Sequence, residues 1–208
     1  MKIVVTGAIG HIGSYLIRDL ALQFSGSEIV MIDNLMTQRF PSLFNLPTSA
    51  KYSFIEGDLT SMELNPIFKG VDTVIHLAAI TDAAGSVDNA ELLESNNFIG
   101  TEKVAIACLE NACNLITLSS TSVYGTQNSL VSEDCDESEL QPQSPYAITK
   151  LKEERLIDSL FKEHGLSAVS LRFGTIFGHS PGMRFHTAVN KFCWQAVMDL
   201  PITVWKTA

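Results

Sequence analysis

No stretch of this chain is apolar for long enough to cross a bilayer, so nothing in it reads as a membrane-spanning helix. Basic residues are scarce: 14 Lys and Arg stand against 23 Asp and Glu, a formal net charge of −9, and they form no run. Broad contact with nucleic acid or an anionic membrane is therefore not expected, and any anionic ligand has to be held by local donors. The four cysteines, Cys108, Cys113, Cys135 and Cys193, show neither C-x-x-C spacing nor a histidine cluster. No metal centre is expected; they read as reduced thiols of a cytoplasmic protein, with Cys108 and Cys113 packed in or near one helix. A single Lys and three apolar residues precede the first turn, which is too little for a signal peptide. Internal repeats and low-complexity linkers are lacking too.

What is present is one core's worth of apolar residues, 46% of 208. Apolar β-type runs occur at Ile3–Val5, Ile29–Ile32, Tyr52–Ile55, Thr73–His76, Leu115–Leu118 and Ala168–Leu171. Helical patterns lie between them, near His11–Phe24, Met62–Phe68, Val87–Glu110 and Tyr146–Glu163. Continuous apolar strands separated by helices predict a parallel sheet covered on both faces, a doubly wound α/β fold of Rossmann type. The polar stretch Thr126–Gln143 reads as a long solvated loop, either a plain surface excursion or one serving a site.

The first run opens into Thr6-Gly7-Ala8-Ile9-Gly10-His11-Ile12-Gly13, glycines three apart between a strand and a helix. Backbone without Cβ can approach a phosphate closely, and the free N–H groups of the helix start then face the anion. The spacing is one residue longer than the G-x-G-x-x-G dinucleotide fingerprint, and a ligand-free Gly-rich turn is the alternative. Asp33, twenty positions past Gly13, ends the second apolar run. A carboxylate there accepts from adenosine ribose hydroxyls and repels a 2′-phosphate, which favours NAD over NADP. Arg39 nearby keeps NADP open, and an ordinary strand-end turn residue is the bland reading of Asp33.

Ser144-Pro145 marks a helix start, N-cap then first-turn proline, and places Tyr146 and Lys150 on one helix face. An ammonium beside a phenol favours the phenolate and suits Tyr146 to act as a base; a buried Tyr with a solvated Lys is the alternative. Directly after the fifth strand comes Ser119-Ser120-Thr121-Ser122, hydroxyls where a parallel sheet binds ligands, or else a hydroxyl-rich turn.

Taken in order, these motifs resemble the extended short-chain dehydrogenase/reductases that act on nucleotide sugars. Asp33-Asn34-Leu35, Gly57-Asp58-Leu59, Val74-Ile75-His76-Leu77-Ala78-Ala79, Val123-Tyr124-Gly125, Leu171-Arg172-Phe173 and Phe177-Gly178 strengthen the likeness, which runs over nearly the whole chain. The resemblance implies an NAD cofactor, Tyr146 as base, Lys150 as its partner on the nicotinamide ribose, and Ser120 as the catalytic hydroxyl. It implies cofactor contacts from Gly7, Gly10, His11, Ile12 and Gly13, from Asp33, Asn34, Asp58 and Leu59, and from Leu77, Ala78, Ala79, Asn97 and Ser119. Thr81, Thr121, Thr175 and Asn190 fall on the substrate side with Ser120 and Tyr146.

The family's shared step is oxidation of a sugar carbon, after which the keto-sugar is re-reduced on its other face, dehydrated or decarboxylated. Thr121-Ser122 stands where dehydratases of the family carry Asp-Glu, so an epimerase is expected. A dehydratase, decarboxylase or reductase of the family, or a non-catalytic NAD-binding module, is the alternative. Thr175 replaces an Asn common after the sixth strand. Residues 1–178 are expected to form the NAD-binding domain and 179–208 part of a small substrate lobe, with helix His186–Met198 and strand Ile202–Trp205, where relatives continue for roughly another hundred residues. Phe185, Phe192, Trp194, Val197 and Trp205 are then expected to lack full cover. Family members commonly dimerise through a four-helix bundle, so a homodimer built on Val87–Glu110 and Tyr146–Glu163 is expected. Leu92, Leu93, Val104, Leu109, Leu151, Leu156, Leu160 and Phe161 are the apolar positions considered for it.

Overall fold

The computed structural model describes residues 1–81, 90–126, 130–185 and 187–202. Six strands form one parallel sheet: β1 (Lys2–Thr6), β2 (Glu28–Asp33), β3 (Lys51–Glu56), β4 (Thr73–His76), β5 (Asn114–Ser120) and β6 (Ala168–Phe173), in the order β3-β2-β1-β4-β5-β6. The α-helices among the described residues are α1 (His11–Gln23), α2 (Asn65–Phe68), α3 (Ala90–Glu110), α4 (Pro145–His164) and α5 (Ala188–Val197). The two-residue period of a strand sends neighbours to opposite faces, and both faces are covered. Ile3, Val5, Ile29 and Met31 pack with Ile17, Leu20 and Ala21 of α1. Val4, Val30, Ile32, Val74 and Leu115 pack with Phe68 of α2, Val104 and Cys108 of α3 and Ile157 of α4. Double burial is why these strands read as unbroken apolar runs.

Strand order reverses at β1, with β2 on one side and β4 on the other. The helices on either side of such a switch diverge and leave a crevice beyond the carboxyl ends of the strands. That crevice holds the site.

Several elements differ from expectation. Helix α2 starts at Asn65 rather than Met62, because Asp58 holds the preceding residues in a turn, accepting from the Thr60 N–H at 2.9 Å and its hydroxyl at 2.6 Å. The loop between β5 and α4 carries two short 3-10 turns, Thr121–Tyr124 and Glu137–Glu139. The expected strand Ile202–Trp205 and Trp205 itself lie outside the described residues except for Ile202, as does the start of Val87–Glu110. Phe185, Trp194 and Val197 are exposed and Phe192 is half-buried. Val104 and Leu151 are buried, and Leu109 and Leu160 pack against the protein's own core. Of the expected positions Phe161 does face outward, and among the described residues of α3 and α4 it is joined there by Ile99, Ile106 and Ile148, which were not expected. Leu156 is half-buried, and the side chains of Leu92 and Leu93 lie outside the description.

Candidate active site

The glycine turn is shaped by contacts that no side chain could share. Gly7 has φ +65°, a region that L residues rarely adopt, and a Cβ there would lie 2.7 Å from Ala78 N. A Cβ on Gly13 would lie 2.4 Å from Gly7 O, so the first turn of α1 can close on the loop only without one. Gly10 is less crowded but still tight: a Cβ there would lie 3.2 Å from Gly7 O, and the residue lines both cavities of the crevice.

Two adjoining cavities of about 270 and 560 Å³ run along the crevice, with Gly7, Gly10, Arg39, Ala78 and Arg184 among the residues that line both. The first is walled by Asp33, Asn34, Arg39, Asp58 and Leu59. The second is walled by His11, Ile12, Gly13, Ser119, Ser120, Thr121, Tyr146, Lys150 and Thr175. Thr81 borders both. The chain thus brings nearly all of its expected site residues onto one groove.

At one end, the Asp33 carboxylate accepts from the N–H groups of Leu35 at 3.0 Å and Ile9 at 3.3 Å. Burial pushes the Asp33 carboxyl up, while those two amides and Arg39 pull it back. Asp58 is held below the usual carboxylate range, chiefly by its Thr60 hydrogen bonds. In the middle, burial and then the charges of Arg184 and Arg39 push His11 down. These two guanidinium groups line both cavities, so in a chain of net negative charge the second cavity, which has no carboxylate among its described lining residues, is locally positive.

At the other end, Ser120 caps the 3-10 turn Thr121–Tyr124. Its Oγ accepts from Ser122 N at 3.1 Å and Ser122 Oγ at 2.8 Å, which leaves its own proton to be donated elsewhere. Lys150 Nζ stands 6.0 Å from the centre of the Tyr146 ring. The two share the groove wall, but the ammonium's hydrogen bond goes to Glu153 Oε2 at 2.8 Å rather than to the tyrosine.

Two expected residues stand behind the wall. Asn97 is buried and binds both the N–H and the carbonyl of Ile80, at 2.8 and 2.9 Å, so it braces the segment that follows β4. Asn190 is buried too, accepting from Gly178 N at 2.9 Å and donating to Arg184 O at 3.0 Å. Neither is among the described groove-lining residues. In both cases the amide is satisfied by backbone and acts through the segment it holds.

Sequence reasoning missed Arg184, which reaches the groove from beyond β6 and donates to the Thr81 hydroxyl. It missed Glu153 as well. A pairing of residues more than a hundred positions apart leaves no local signal, whereas the i,i+3 spacing of Lys150 and Glu153 was open to view.

The arrangement suits a dinucleotide. A carboxylate stands at the ribose end, glycines and paired cations in the middle, and a Ser, Tyr and Lys cluster at the reacting end. Curated relatives agree. The chain is 33% identical over 99% of its length to the uncharacterized UDP-glucose epimerase YtcB of Bacillus subtilis (strain 168), of which it spans 65%. Among solved structures it superposes on a UDP-glucuronic acid 4-epimerase from Bacillus cereus, in complex with UDP-glucuronic acid and NAD, with TM-score 0.88 and 31% identity. That match covers all of this chain and 66% of the other. A UDP-N-acetylglucosamine 4-epimerase from Methanobrevibacter ruminantium M1 gives TM-score 0.83 and 32% identity, covering 96% of this chain and 63% of the other. The chain therefore spans about two thirds of the length of these relatives. Residues 3–208 match the NAD dependent epimerase/dehydratase family, and the chain belongs to it.

Proposed function

We propose that this chain carries the cofactor-binding and acid–base machinery of an NAD-dependent nucleotide-sugar epimerase that works through a transient keto-sugar. The observation that carries this reading is the single groove from Asp33 across the glycine turn to Ser120, Tyr146 and Lys150. Among the described residues that line its reacting end there is no carboxylate. This supports re-reduction of the keto-sugar over elimination of water, which needs an acid and a base of its own.

In this reading residues 1–178 hold the cofactor and the reacting groups, and 179–208 belong to a substrate lobe. Asp33 accepts from the adenosine ribose, Gly7, Gly10 and Gly13 admit the pyrophosphate, and Lys150 holds the nicotinamide ribose. When bound, NAD supplies a hydride acceptor that later returns the hydride to the opposite face of the sugar. Tyr146 takes the sugar hydroxyl proton as the carbon is oxidised and gives it back on reduction. Ser120, with its lone pairs committed to Ser122, donates its proton to the same sugar oxygen and orients it. Thr81, Thr121, Thr175 and Arg184 surround the sugar nucleotide. A second copy of the chain docks on α3 and α4. Four free cysteines, two of them buried, support a reducing cytoplasmic setting.

The test is to mix the protein and NAD with UDP-hexoses and UDP-uronates, the classes in the relatives' names. Absorbance then follows reduced nicotinamide, and NMR follows the sugar. Epimerised sugar is the expected product. Tyr146→Phe is expected to lower hydride transfer by about 100-fold or more while NAD affinity stays within roughly threefold. Undiminished transfer in that variant overturns the assignment of the base.

A further inference from the structure

From the groove floor, which His76 helps to line, a buried polar chain that the reaction scheme does not use runs into the interior. His76, at the end of β4, has Nδ1 at 2.7 Å from Thr6 Oγ1 and Nε2 at 3.0 Å from Thr101 Oγ1 of α3. Thr6 Oγ1 already accepts from the N–H groups of Leu77 at 3.2 Å and Ala78 at 3.3 Å, so its proton goes to His76 Nδ1. Burial, and then the Lys150 charge, push His76 down to about 3, which keeps the ring neutral. Its one proton is then on Nε2 and is donated to Thr101, whose own proton is free to turn away from the ring. The Thr101 hydroxyl faces the Glu153 carboxylate from α3.

Glu153 and Lys150 are buried together, with 3% and 5% of their side chains exposed. One turn of helix separates them, on the side of α4 that also buries Ala147 and Ile157. Glu153 Oε2 accepts from Lys150, while Oε1 is buried without a hydrogen-bond partner among the described residues. A buried ammonium needs a counter-charge, and this carboxylate is the charge in contact with it.

We propose that Glu153 is a positioning residue, a buried counter-ion that seats Lys150 in the groove floor and thereby sets the pH at which Tyr146 can act as a base. The proposal rests on the reading of Tyr146 and Lys150 given above. Without the carboxylate 2.8 Å behind it, a buried ammonium is disfavoured, and Tyr146 loses the neighbouring cation that favours its phenolate. The other groups facing the pair among the described residues do not replace it. His76 from β4 is neutral, and α3 presents the uncharged Thr101. Glu154 of α4 is taken up by Arg172 of β6 through contacts of 2.7 to 3.2 Å. Tyr124 accepts from that same Arg172 at 2.9 Å.

The experiment labels the tyrosines with carbon-13 at the ring carbon bearing the hydroxyl and follows them by NMR against pH, with NAD present. Tyr146 is identified by the resonance lost in Tyr146→Phe. Glu153→Gln keeps the shape and removes the charge, and Glu153→Ala removes the charge and leaves room for water. Both are expected to move the Tyr146 midpoint to higher pH, lowering the phenolate fraction below that midpoint about tenfold. Glu153→Asp is expected to stay close to the parent. An unmoved Tyr146 midpoint in a folded charge-removing variant overturns the proposal, since a packing role alone would leave it there. Equal shifts in Glu153→Asp and Glu153→Gln overturn it as well. The titration needs no sugar, so failure to epimerise would remove the functional reading and leave this result standing.

Discussion

His76 shows how one side chain can set a pH limit for the whole fold. It is 3% exposed, hydrogen-bonded at both ring nitrogens, and pushed down to about 3 by burial and by Lys150. A group whose folded pKa lies below its unfolded value of about 6.5 contributes stability above pH 6.5 and loses it as pH falls toward 3. The span corresponds to at most about 5 kcal/mol. Glu153 acts with the opposite sign: burial raises its carboxyl, so its contribution is present at low pH and fades as pH rises through the folded value. Urea midpoints of the parent and His76→Gln between pH 7 and 4 separate the two. The variant is expected to be less stable at neutral pH but to lose stability less steeply on acidification. Parallel slopes would show that His76 does not titrate on unfolding.

Helix α4 is the element on which the reacting end depends, and its beginning is built for the purpose. Ser144 Oγ accepts from Ala147 N at 3.1 Å and Pro145 occupies the first turn, so Tyr146 sits in a capped turn rather than a fraying one. Gly165, in the left-handed conformation, ends the helix, its N–H reaching the Leu160 and Phe161 carbonyls. Arg172 ties the helix to β6 through Glu154. Ser144→Ala is expected to cost about 1 kcal/mol and to lower Tm by roughly 2–4 °C in a chain of this size. Calorimetric scans of parent and variant measure it. An unchanged Tm would mean that packing on α3 and β5 holds the first turn without the cap.

At the scale of the whole molecule, α3 and α4 lie together over one face of the sheet, their inner residues sharing a core with β1, β2, β4 and β5. Their outer surfaces expose Ile99, Ile106 and Ile148. Apolar residues grouped on an outer helix face suit an isologous contact in which two copies pair the same helices. Sedimentation at micromolar concentration is expected to show a homodimer, and Ile106→Glu with Ile148→Glu is expected to give a monomer that still binds NAD. A parent chain that sediments as a monomer would remove the dimer.

What the sequence determined by itself is whatever depends on near neighbours along the chain. Strand and helix periods mark the elements to within a few residues, because burial on two faces or one stripe imposes a repeat. The glycine turn, Asp33 and the Tyr146–Lys150 spacing were legible for the same reason: each is a local backbone requirement or a one-turn relation. Tertiary structure alone decided how distant pieces meet. It brought Arg184 to Thr81, turned Asn97 and Asn190 from ligand contacts into braces, and pointed Val104 and Leu151 inward. It also joined Thr6, His76 and Thr101 from three elements into one chain of hydrogen bonds whose last hydroxyl faces Glu153. A buried polar atom must find a partner, but any element the fold brings near can supply it, so its identity is settled only when the strands take their order and the helices pack.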